Sequence, residues 1–302
     1  MGVFDCVGNT PLVSIDNINP NPAVRIYAKL EGNNPGGSVK DRIALYMLRS
    51  AEKDGLLTRD KIILEATSGN TGIGLAMIGA VKKYRVKLTM PACVSVERRK
   101  VLEAFGAELI ISPSNEGTDG AIRLAHRIMS ENPDLYFMPN QFDNPANILA
   151  HYETTGREII EQTQGKVTHF VAGMGTTGTL MGVSKRLKEF NEKICIVGVE
   201  PVKGHRIQGL KNMTESIVPK IFDPSRLDVR HIVTDEEAFD ATRMLAIKEG
   251  IFTGMSSGAA MQVALKMSSE LSAGVIVVLL PDRGDRYLST ALFTSGCGKC
   301  PP

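Results

Sequence analysis

Lys40 is the residue whose setting most favours covalent chemistry. It follows the turn sequence NPGGS at 34–38 and precedes Asp41, a pattern that predicts a helix with Ser38 at its N-cap. A lysine in the first turn of a helix lies near the positive end of the helix dipole, which lowers its pKa and favours the neutral amine. That form is the one needed to make a Schiff base. The alternative is an ordinary exposed lysine at a helix start.

A second loop joins a predicted strand to a predicted helix and contains mainly small hydroxyl residues and glycines (TSGNTG, 67–72). Backbone N–H groups at a helix N-terminus form a cradle for anions. Asn70 adds a neutral donor that suits a phenolate or carboxylate oxygen. The alternative is an ordinary capped turn between strand and helix.

A third loop, residues 173–179 (GMGTTGT), follows another predicted strand. Its glycines allow the backbone to approach a phosphate, and its threonines supply hydroxyl groups. The same residues match G-x-G-x-x-G, with Glu200 near the place where a ribose-binding acid is expected, so a nicotinamide oxidoreductase is an alternative. Two anion cradles and the lysine at a helix start favour a single phosphate monoester instead.

A fourth loop, residues 254–259 (GMSSGA), also precedes a predicted helix. A serine hydroxyl at this place can meet a ring nitrogen without protonating it, unlike an aspartate. The alternative is a pair of serines that only cap the helix.

Strand and helix patterns alternate along the chain and place these loops. Short β-branched runs predict strands at 25–30, 61–65, 86–90, 108–111, 169–172, 194–199 and 274–280. Amphipathic segments between them predict helices, including those at 41–54, 72–83, 95–105 and 119–131. Apolar strands alternating with helices indicate parallel sheets covered on both faces, so we expect two α/β domains with a break near 140–147. Ligands of such folds bind at the carboxyl ends of the strands.

Composition excludes several classes of protein. The chain has 302 residues, 43% hydrophobic and 23% charged, and a net charge of +2, which argues against disorder, nucleic-acid binding and an anionic membrane partner. Glycine is abundant, at 29 residues. No signal peptide, membrane span or histidine ligand spacing is evident, and the five cysteines are odd in number, so we expect a cytoplasmic protein without a metal. Cys297 and Cys300 form a C-x-x-C pair that fits a tail better than half a metal site or a redox pair.

Taken together, these loops resemble the fold-type II pyridoxal-phosphate enzymes, specifically the cysteine synthase (O-acetylserine sulfhydrylase) family. The resemblance extends from residues 7–12 (VGNTPL) to 282–290 (DRGDRYLST) and is nearest to the B-type branch through 30–35 and 174–179. It implies two domains, each a mainly parallel twisted sheet flanked by helices. We expect an N-terminal domain over 1–145 with a mobile subdomain, and a C-terminal domain over 146–302 that holds the cofactor phosphate. Residues 12–34 are expected to cross to the other sheet, and a homodimer is expected.

The resemblance also implies roles for individual residues. Lys40 would bind pyridoxal phosphate covalently and then act as the base at the substrate Cα, and Asn70 would bond the ring hydroxyl oxygen. Ser256 would face the pyridine nitrogen, with Ser257 as the alternative. The cofactor phosphate would be held by Gly175, Thr176, Thr177, Gly178 and Thr179. The substrate α-carboxylate would be bound by Thr67, Ser68, Gly69, Asn70, Thr71 and Gln141.

The implied reaction is β-replacement on O-acetylserine or O-phosphoserine through an α-aminoacrylate, giving L-cysteine in sulfur assimilation. The sulfur donor is left open among sulfide, thiosulfate and a protein thiocarboxylate carrier. Closure of the substrate loop would exclude water. Cystathionine β-synthase and serine/threonine dehydratase are alternatives on the same fold.

Two departures from the family pattern bear on the substrate. Cys93 stands where the family more often has a polar residue, close to the subdomain expected to move. Lys211 stands where B-type relatives often carry arginine, and in some relatives that charge serves O-phosphoserine. We hypothesise that Lys211, together with Arg206, binds a phosphate or an anionic sulfur donor. The alternative is a solvated surface lysine.

Overall fold

Two β-sheets organise the protein, which is represented by a computed structural model describing residues 2–67, 69–92, 94 and 96–294. Within these residues, the larger sheet has six strands in the order β1-β2-β10-β7-β8-β9, and the smaller has four in the order β5-β4-β3-β6. Among the strands of the described residues, only β1 runs antiparallel, to its neighbour β2. The α/β class with mainly parallel sheets is therefore confirmed.

The strands of the larger sheet are β1 (Leu12–Ile15), β2 (Val24–Leu30), β7 (His169–Gly173), β8 (Cys195–Pro201), β9 (Val229–Val233) and β10 (Gly274–Leu280). The smaller sheet contains β3 (Ile62–Ala66), β4 (Val86–Pro91), β5 (Glu108–Ser112) and β6 (Tyr136–Phe137). All five residues of β3 and the last five of β10 are buried, as expected for parallel strands covered on both faces. The apolar run of β10 and the largely apolar run of β3 made both strands visible in the sequence.

Helices cover both faces of each sheet. They are α1 (Lys40–Lys53), α2 (Asn70–Lys82), α3 (Val96–Ala104), α4 (Gly117–Glu131), α5 (Pro145–Ala150), α6 (Gly156–Gln162), α7 (Gly178–Phe190), α8 (Asp235–Glu249), α9 (Met255–Glu270) and α10 (Ala291–Thr294). A π-helical turn (His151–Thr155) joins α5 to α6, and short 3-10 turns occupy Val3–Cys6, Glu31–Asn33, Ser114–Glu116, Pro224–Arg226 and Gly284–Tyr287. None of the helices in the described residues could span a membrane.

The side chains of β3 alternate between two layers of helices and explain how the smaller sheet is packed. Ile63 joins the core formed with α1 and α2, whereas Ile62 and Ala66 belong to clusters that include residues of α4. In the larger sheet, α8 and α9 pack on one face, and α6 and α7 cover the other. In both sheets the carboxyl ends of the parallel strands lead into loops, and ligands of such folds bind at these ends.

The N-terminal strands do not stay with the smaller sheet. Val24–Leu30 (β2) pairs with β10 over its full length, from Gly274↔Val24 to Leu280↔Leu30. The chain thus enters the larger sheet, builds the smaller one, and returns to the larger sheet at β7. The placement of a domain boundary at residue 145 stays a prediction.

Candidate active site

A cleft of about 570 Å³ opens at the carboxyl ends of strands from both sheets. Most of the residues identified from the sequence line it, together with residues from α4 and from the segment after β8. The lining includes Lys40, Thr67, Asn70, Thr71, Val94, Arg98, Asp119, Gln141, Phe142, Gly175, Thr176, Arg206, Gly209 and Lys211. The structure thus brings the first three predicted loops to one place.

The turn before Lys40 is fixed at several points. The helix starts at Lys40 with Val39 as its N-cap, so the prediction of Ser38 at the N-cap was wrong by one residue, but Ser38 Oγ still accepts a hydrogen bond from Lys40 N at 3.2 Å. Asp41 Oδ2 accepts from Gly36 N at 2.6 Å, and Val39 N donates to the carbonyl oxygen of Pro281 at 2.8 Å. Lys40 is therefore anchored both to its own helix and to the end of β10.

The amine of Lys40 is prepared for chemistry by its surroundings. Burial lowers its pKa to about 8, and the Asp282 carboxylate partly opposes that shift. Nζ donates no hydrogen bond to any group in the described part of the chain. The direction agrees with the prediction from the helix start, but the main cause is burial. A substantial fraction of Lys40 is thus neutral near pH 8.

Asn70 belongs to a polar network that the sequence analysis did not find. Its Nδ2 donates to Asp282 Oδ2 at 2.6 Å, and its Oδ1 accepts from Arg286 Nη1 at 2.6 Å. Tyr287 OH also donates to Asp282 Oδ2, at 2.6 Å, and Arg98 Nη2 donates to Tyr287 OH. These contacts fix the amide of Asn70 at the wall of the cleft. The signal in the sequence is the charged run DRGDRY directly after the apolar strand β10.

The loop predicted to bind a carboxylate is held in shape by its own side chains. Thr67 Oγ1 accepts hydrogen bonds from Gly69 N at 3.1 Å and from Gly72 N at 3.2 Å. Gly69 has a φ of +138°, which requires glycine. Thr71 Oγ1 donates to Gln141 Oε1 at 2.6 Å, so these two residues, both predicted to bind the substrate carboxylate, are in contact with each other. Ser68 lies outside the described residues.

The loop predicted to hold a phosphate connects β7 to α7. Thr176 Oγ1 accepts from Gly178 N at 3.4 Å and from Asn147 Nδ2 at 3.2 Å, and Thr177 adopts a left-handed φ of +66°. A Cβ at Gly175 would lie only 2.6 Å from the carbonyl oxygen of Gly209, so the two backbones pass each other closely. This compact loop at a helix N-terminus is suited to a phosphate group.

Thr179, the last residue of that set, faces a buried histidine. Its Oγ1 lies 3.2 Å from His151 Nε2, and His151 Nδ1 lies 2.9 Å from Thr155 Oγ1. Burial holds the pKa of His151 well below its usual range, so the ring is neutral. The histidine starts the π-helical turn, a feature that is frequent at functional sites. The spacing of histidines in the sequence gave no indication of this contact.

The two serines at the start of α9 differ in their hydrogen bonding. Ser257 Oγ contacts Thr253 Oγ1 at 2.5 Å and is fully buried. Ser256 Oγ makes no hydrogen bond within the described residues, and it lies 3.7 Å from the place where a Cβ on Gly209 would be. Ser256 is buried and does not itself line the cleft, but it lies next to Gly209, which does, so its role toward a ring nitrogen stays a prediction.

Lys211, in the segment after β8, is buried and lines the cleft. Its Nζ donates to Asp119 Oδ1 at 3.2 Å, at the start of α4, and lies 5.0 Å from the centre of the Phe142 ring. Arg206, its predicted helper, is largely exposed and paired with Asp235 at 3.1 Å. Cys93, Cys297 and Cys300 lie outside the described residues.

Glu200, the candidate ribose-binding acid, is already hydrogen-bonded and ion-paired within the protein. It is buried, accepts from Met213 N at 2.6 Å, and forms an ion pair with Arg230. A dinucleotide site needs this carboxylate free beside the G-x-G-x-x-G loop. The structure therefore removes the main support for the nicotinamide interpretation.

Comparison with known proteins agrees with this geometry. The model of the family described as "Pyridoxal-phosphate dependent enzyme" matches residues 3–282. The cysteine synthase of Aquifex aeolicus is 48% identical, covering 97% of this chain and 92% of that protein, and cysteine synthase B of Salmonella typhimurium is 47% identical, covering 95% and 94%. A crystal structure of cysteine synthase from Entamoeba histolytica superposes with a TM-score of 0.91 at 40% identity, covering 97% and 90%.

The fold and the site define a pyridoxal-phosphate-dependent enzyme. The chain belongs to that family, and within it to the cysteine synthases, so the resemblance drawn from the loops is confirmed. The residues present fit the cofactor, because the Lys40 amine lines the cleft without a hydrogen-bond partner in the described part of the chain. Gly175 and Thr176, in the loop before α7, line the same cleft.

Proposed function

We propose that the protein is a cysteine synthase, which replaces the β-substituent of an activated serine with a sulfur nucleophile to form L-cysteine. The observation that carries the proposal is the Lys40 amine, which has a pKa of about 8 and no hydrogen-bond partner among the described residues, in a cleft lined by both proposed anion-binding loops. Such an amine can remove a proton and return it near neutral pH. The naming of the relatives as cysteine synthases supports the same reaction.

Lys40 is the acid–base residue of the proposed mechanism. Pyridoxal phosphate, when bound, supplies an electron sink for the carbon acid. Lys40 Nζ takes the proton from the substrate Cα, the leaving group departs from Cβ with its bonding electron pair, and the sulfur nucleophile then adds at Cβ. Lys40 returns the proton to Cα. Its position at the first residue of α1, fixed by Ser38 and Pro281, keeps the amine directed at one site throughout.

One anion-binding loop is proposed to bind the substrate and the other to bind the cofactor phosphate. The α-carboxylate is proposed to lie against Thr67, Ser68, Gly69, Asn70, Thr71 and Gln141, at the N-terminus of α2. The phosphate is proposed to be held by Gly175, Thr176, Thr177, Gly178 and Thr179, with Asn70 toward the ring hydroxyl and Ser256 toward the ring nitrogen. A neutral serine at the nitrogen moderates electron withdrawal, which suits elimination and replacement at Cβ.

Lys211 is proposed to bind an anionic substituent of the donor. It already lines the cleft, where Asp119 holds its ammonium, so a phosphate of O-phosphoserine would have to compete with that carboxylate. Lys211→Ala is expected to lower kcat/KM for O-phosphoserine by about 10- to 100-fold, as for loss of a charge-assisted contact, and to change that for O-acetylserine by less than about twofold. Lys203→Ala, at an exposed position, is the control. An equal effect on both donors, or none, would overturn this assignment.

The reaction itself is tested with the purified holoenzyme. Wild type is expected to form L-cysteine from O-acetylserine and sulfide and to show a visible absorbance band that borohydride abolishes. Lys40→Ala is expected to lose both the borohydride-sensitive band and turnover. A wild-type enzyme that forms no cysteine, or that strongly prefers homocysteine as the nucleophile, would refute the proposal, as would an active Lys40→Ala variant.

Membership of this family supports three further proposals. The enzyme is a homodimer, it acts in the cytoplasm in sulfur assimilation, and its sulfur arrives as sulfide, as thiosulfate or on a carrier protein as a thiocarboxylate. Comparison of the three donors in the same cysteine assay distinguishes them, and sedimentation of the holoenzyme tests the dimer.

A further inference from the structure

Glu65 is a buried carboxylate at the end of β3 that the proposed mechanism does not use. Only 2% of its surface is exposed, in a strand whose other members are apolar. Its two oxygens accept hydrogen bonds from two consecutive backbone groups, with Oε2 2.7 Å from Asn140 N and Oε1 3.0 Å from Gln141 N. An ionised carboxylate is costly to bury unless hydrogen bonds or an opposite charge compensate for the water it loses.

The chain geometry explains why these two N–H groups need an acceptor. The strand β6 pairs with β3 only through Tyr136 and Phe137. Pro139 has no N–H to continue a ladder, and Asn140 then takes a left-handed φ of +51°. The N–H groups of Asn140 and Gln141 therefore have no strand partner, and Glu65 supplies one oxygen to each.

The segment held in this way carries one of the proposed substrate residues. Gln141 is 3% exposed and lines the cleft. With its backbone held by Glu65, its Nε2 donates to the carbonyl oxygen of Ala66 at 3.1 Å and its Oε1 accepts from Thr71 Oγ1 at 2.6 Å. The same carboxylate thus lies directly behind the Gln141–Thr71 contact at the N-terminus of α2.

We propose that Glu65 is a positioning residue for the substrate, whose ionised carboxylate holds Gln141 in place to bind the α-carboxylate of the amino-acid donor. The inference rests on the proposed role of Gln141 and Thr71. Only the ionised form presents an acceptor to both N–H groups, because a protonated carboxyl turns one oxygen into a donor. Within the described residues, Glu65 makes no hydrogen bond to Lys40 or to the proposed phosphate loop, and its direct effect is therefore on Gln141 and the donor amino acid.

This arrangement makes donor binding depend on pH. Burial raises the pKa of Glu65 to about 7 against the opposing hydrogen bonds, and the nearby charge of Asp143 adds to the rise. Asp143 in turn is paired with Lys220 at 2.8 Å. As the pH falls through about 7, Glu65 takes up a proton and one amide loses its acceptor. The affinity for the donor should therefore weaken below that pH.

Glu65→Gln in the holoenzyme is the main test. An amide keeps one acceptor but places an NH2 group against the other N–H, so the KM for O-acetylserine and the Kd for L-serine should rise about 10- to 100-fold. The kcat should fall by less than about threefold. The Kd for pyridoxal phosphate should rise far less than that for L-serine, because Glu65 reaches the phosphate loop only indirectly, through the Gln141 carbonyl and Asn147. The same substitution at Glu108, an exposed residue of the same sheet, should change nothing. The fall in donor affinity below pH 7 should vanish in Glu65→Gln.

Three further measurements separate positioning from a general structural role. L-serine methyl ester, which lacks the carboxylate, should bind equally to wild type and Glu65→Gln. In a Gln141→Ala background, Glu65→Gln should have little additional effect on L-serine binding. Glu65→Asp keeps the charge with a shorter reach, so it should give an intermediate KM and retain the pH dependence near 7.

An unchanged KM, additive effects of the Glu65 and Gln141 substitutions, or equal weakening of serine and its ester would overturn the proposal. L-serine binding is read from the shift in cofactor absorbance and does not need turnover. A wild-type enzyme that binds L-serine through Glu65 and Gln141 but makes no cysteine would refute the proposed function and leave this inference standing.

Discussion

Gly178, the first residue of α7, allows a close contact between the proposed phosphate loop and a buried asparagine. A Cβ at this position would lie 1.9 Å from Asn147 Oδ1 and 2.4 Å from its Cγ. The backbone φ of Gly178 is not in the left-handed region, so the expected cost of Gly178→Ala is steric. Asn147 has no exposed surface and can relieve the overlap only by moving away.

The size of the effect follows from the hydrogen bonds of Asn147. Its Nδ2 donates to the carbonyl oxygen of Gln141 at 2.8 Å and to Thr176 Oγ1 at 3.2 Å. To reach an ordinary van der Waals distance from the new methyl group, the Asn147 side chain must move by more than about 1 Å. That movement breaks both hydrogen bonds, and each loss costs about 1 kcal/mol or more. Phosphate binding requires the loop in its undistorted shape, so the variant pays about 2–3 kcal/mol to restore that shape when the cofactor binds. The Kd for pyridoxal phosphate is therefore about 30- to 150-fold higher.

Cofactor fluorescence titration of the apoenzyme measures this Kd, and a double-mutant cycle provides the control. Asn147→Ala loses the same two hydrogen bonds but leaves room for the new methyl group. The double variant should therefore be no weaker than Asn147→Ala alone, which gives a coupling energy of about 2 kcal/mol. A Gly178→Ala enzyme with wild-type affinity, or additive effects of the two substitutions, would refute the reasoning.

Two other predictions concern stability, measured by urea unfolding. Gly258→Ala should lower the free energy of unfolding by about 2–4 kcal/mol. The reason is that its Cβ would lie 2.0 Å from Thr242 Oγ1 and 2.1 Å from the carbonyl oxygen of Ala238. An unchanged urea midpoint would contradict this packing of α8 on α9. Burial raises the pKa of Asp41 to about 7, so the stability that its neutral form provides is lost as pH rises from about 4 to 7. The difference in unfolding free energy, Asp41→Asn minus wild type, should grow by up to about 1.4 kcal/mol per pH unit in that window, and a difference independent of pH would show the assignment to be wrong.

The local elements and the loops between them were accessible from the sequence alone. The predicted helices at 41–54 and 72–83 correspond to Lys40–Lys53 and Asn70–Lys82, and the predicted strand at 274–280 coincides with β10. These segments have apolar patterns set by burial on one helix face or on both sheet faces. The glycine and hydroxyl loops were visible because a turn at a helix start restricts the residue types that fit.

The contacts that complete the site depend on distant parts of the chain. Asn70 bonds to Asp282, 212 positions away, and Glu65 holds an amide 76 positions away. No local pattern fixes such pairs, and a glutamate within an apolar strand has no periodicity that indicates a partner. The six-stranded sheet produces the first pairing, because β10 joins β2 and so brings Asp282 beside the turn at Ser38. The second arises from the parallel pairing of β3 with the two-residue strand β6.

The lowered pKa of Lys40 shows how magnitudes decide between two causes that act in the same direction. A charge at a helix terminus changes free energy by about 0.3–1 kcal/mol, which is less than one pKa unit. The change from 10.5 to about 8 corresponds to about 3 kcal/mol, and the Asp282 carboxylate acts against it. The helix start alone cannot supply that amount, whereas burial can. Access of water to the cleft, rather than the helix N-terminus, therefore controls how much neutral amine Lys40 presents.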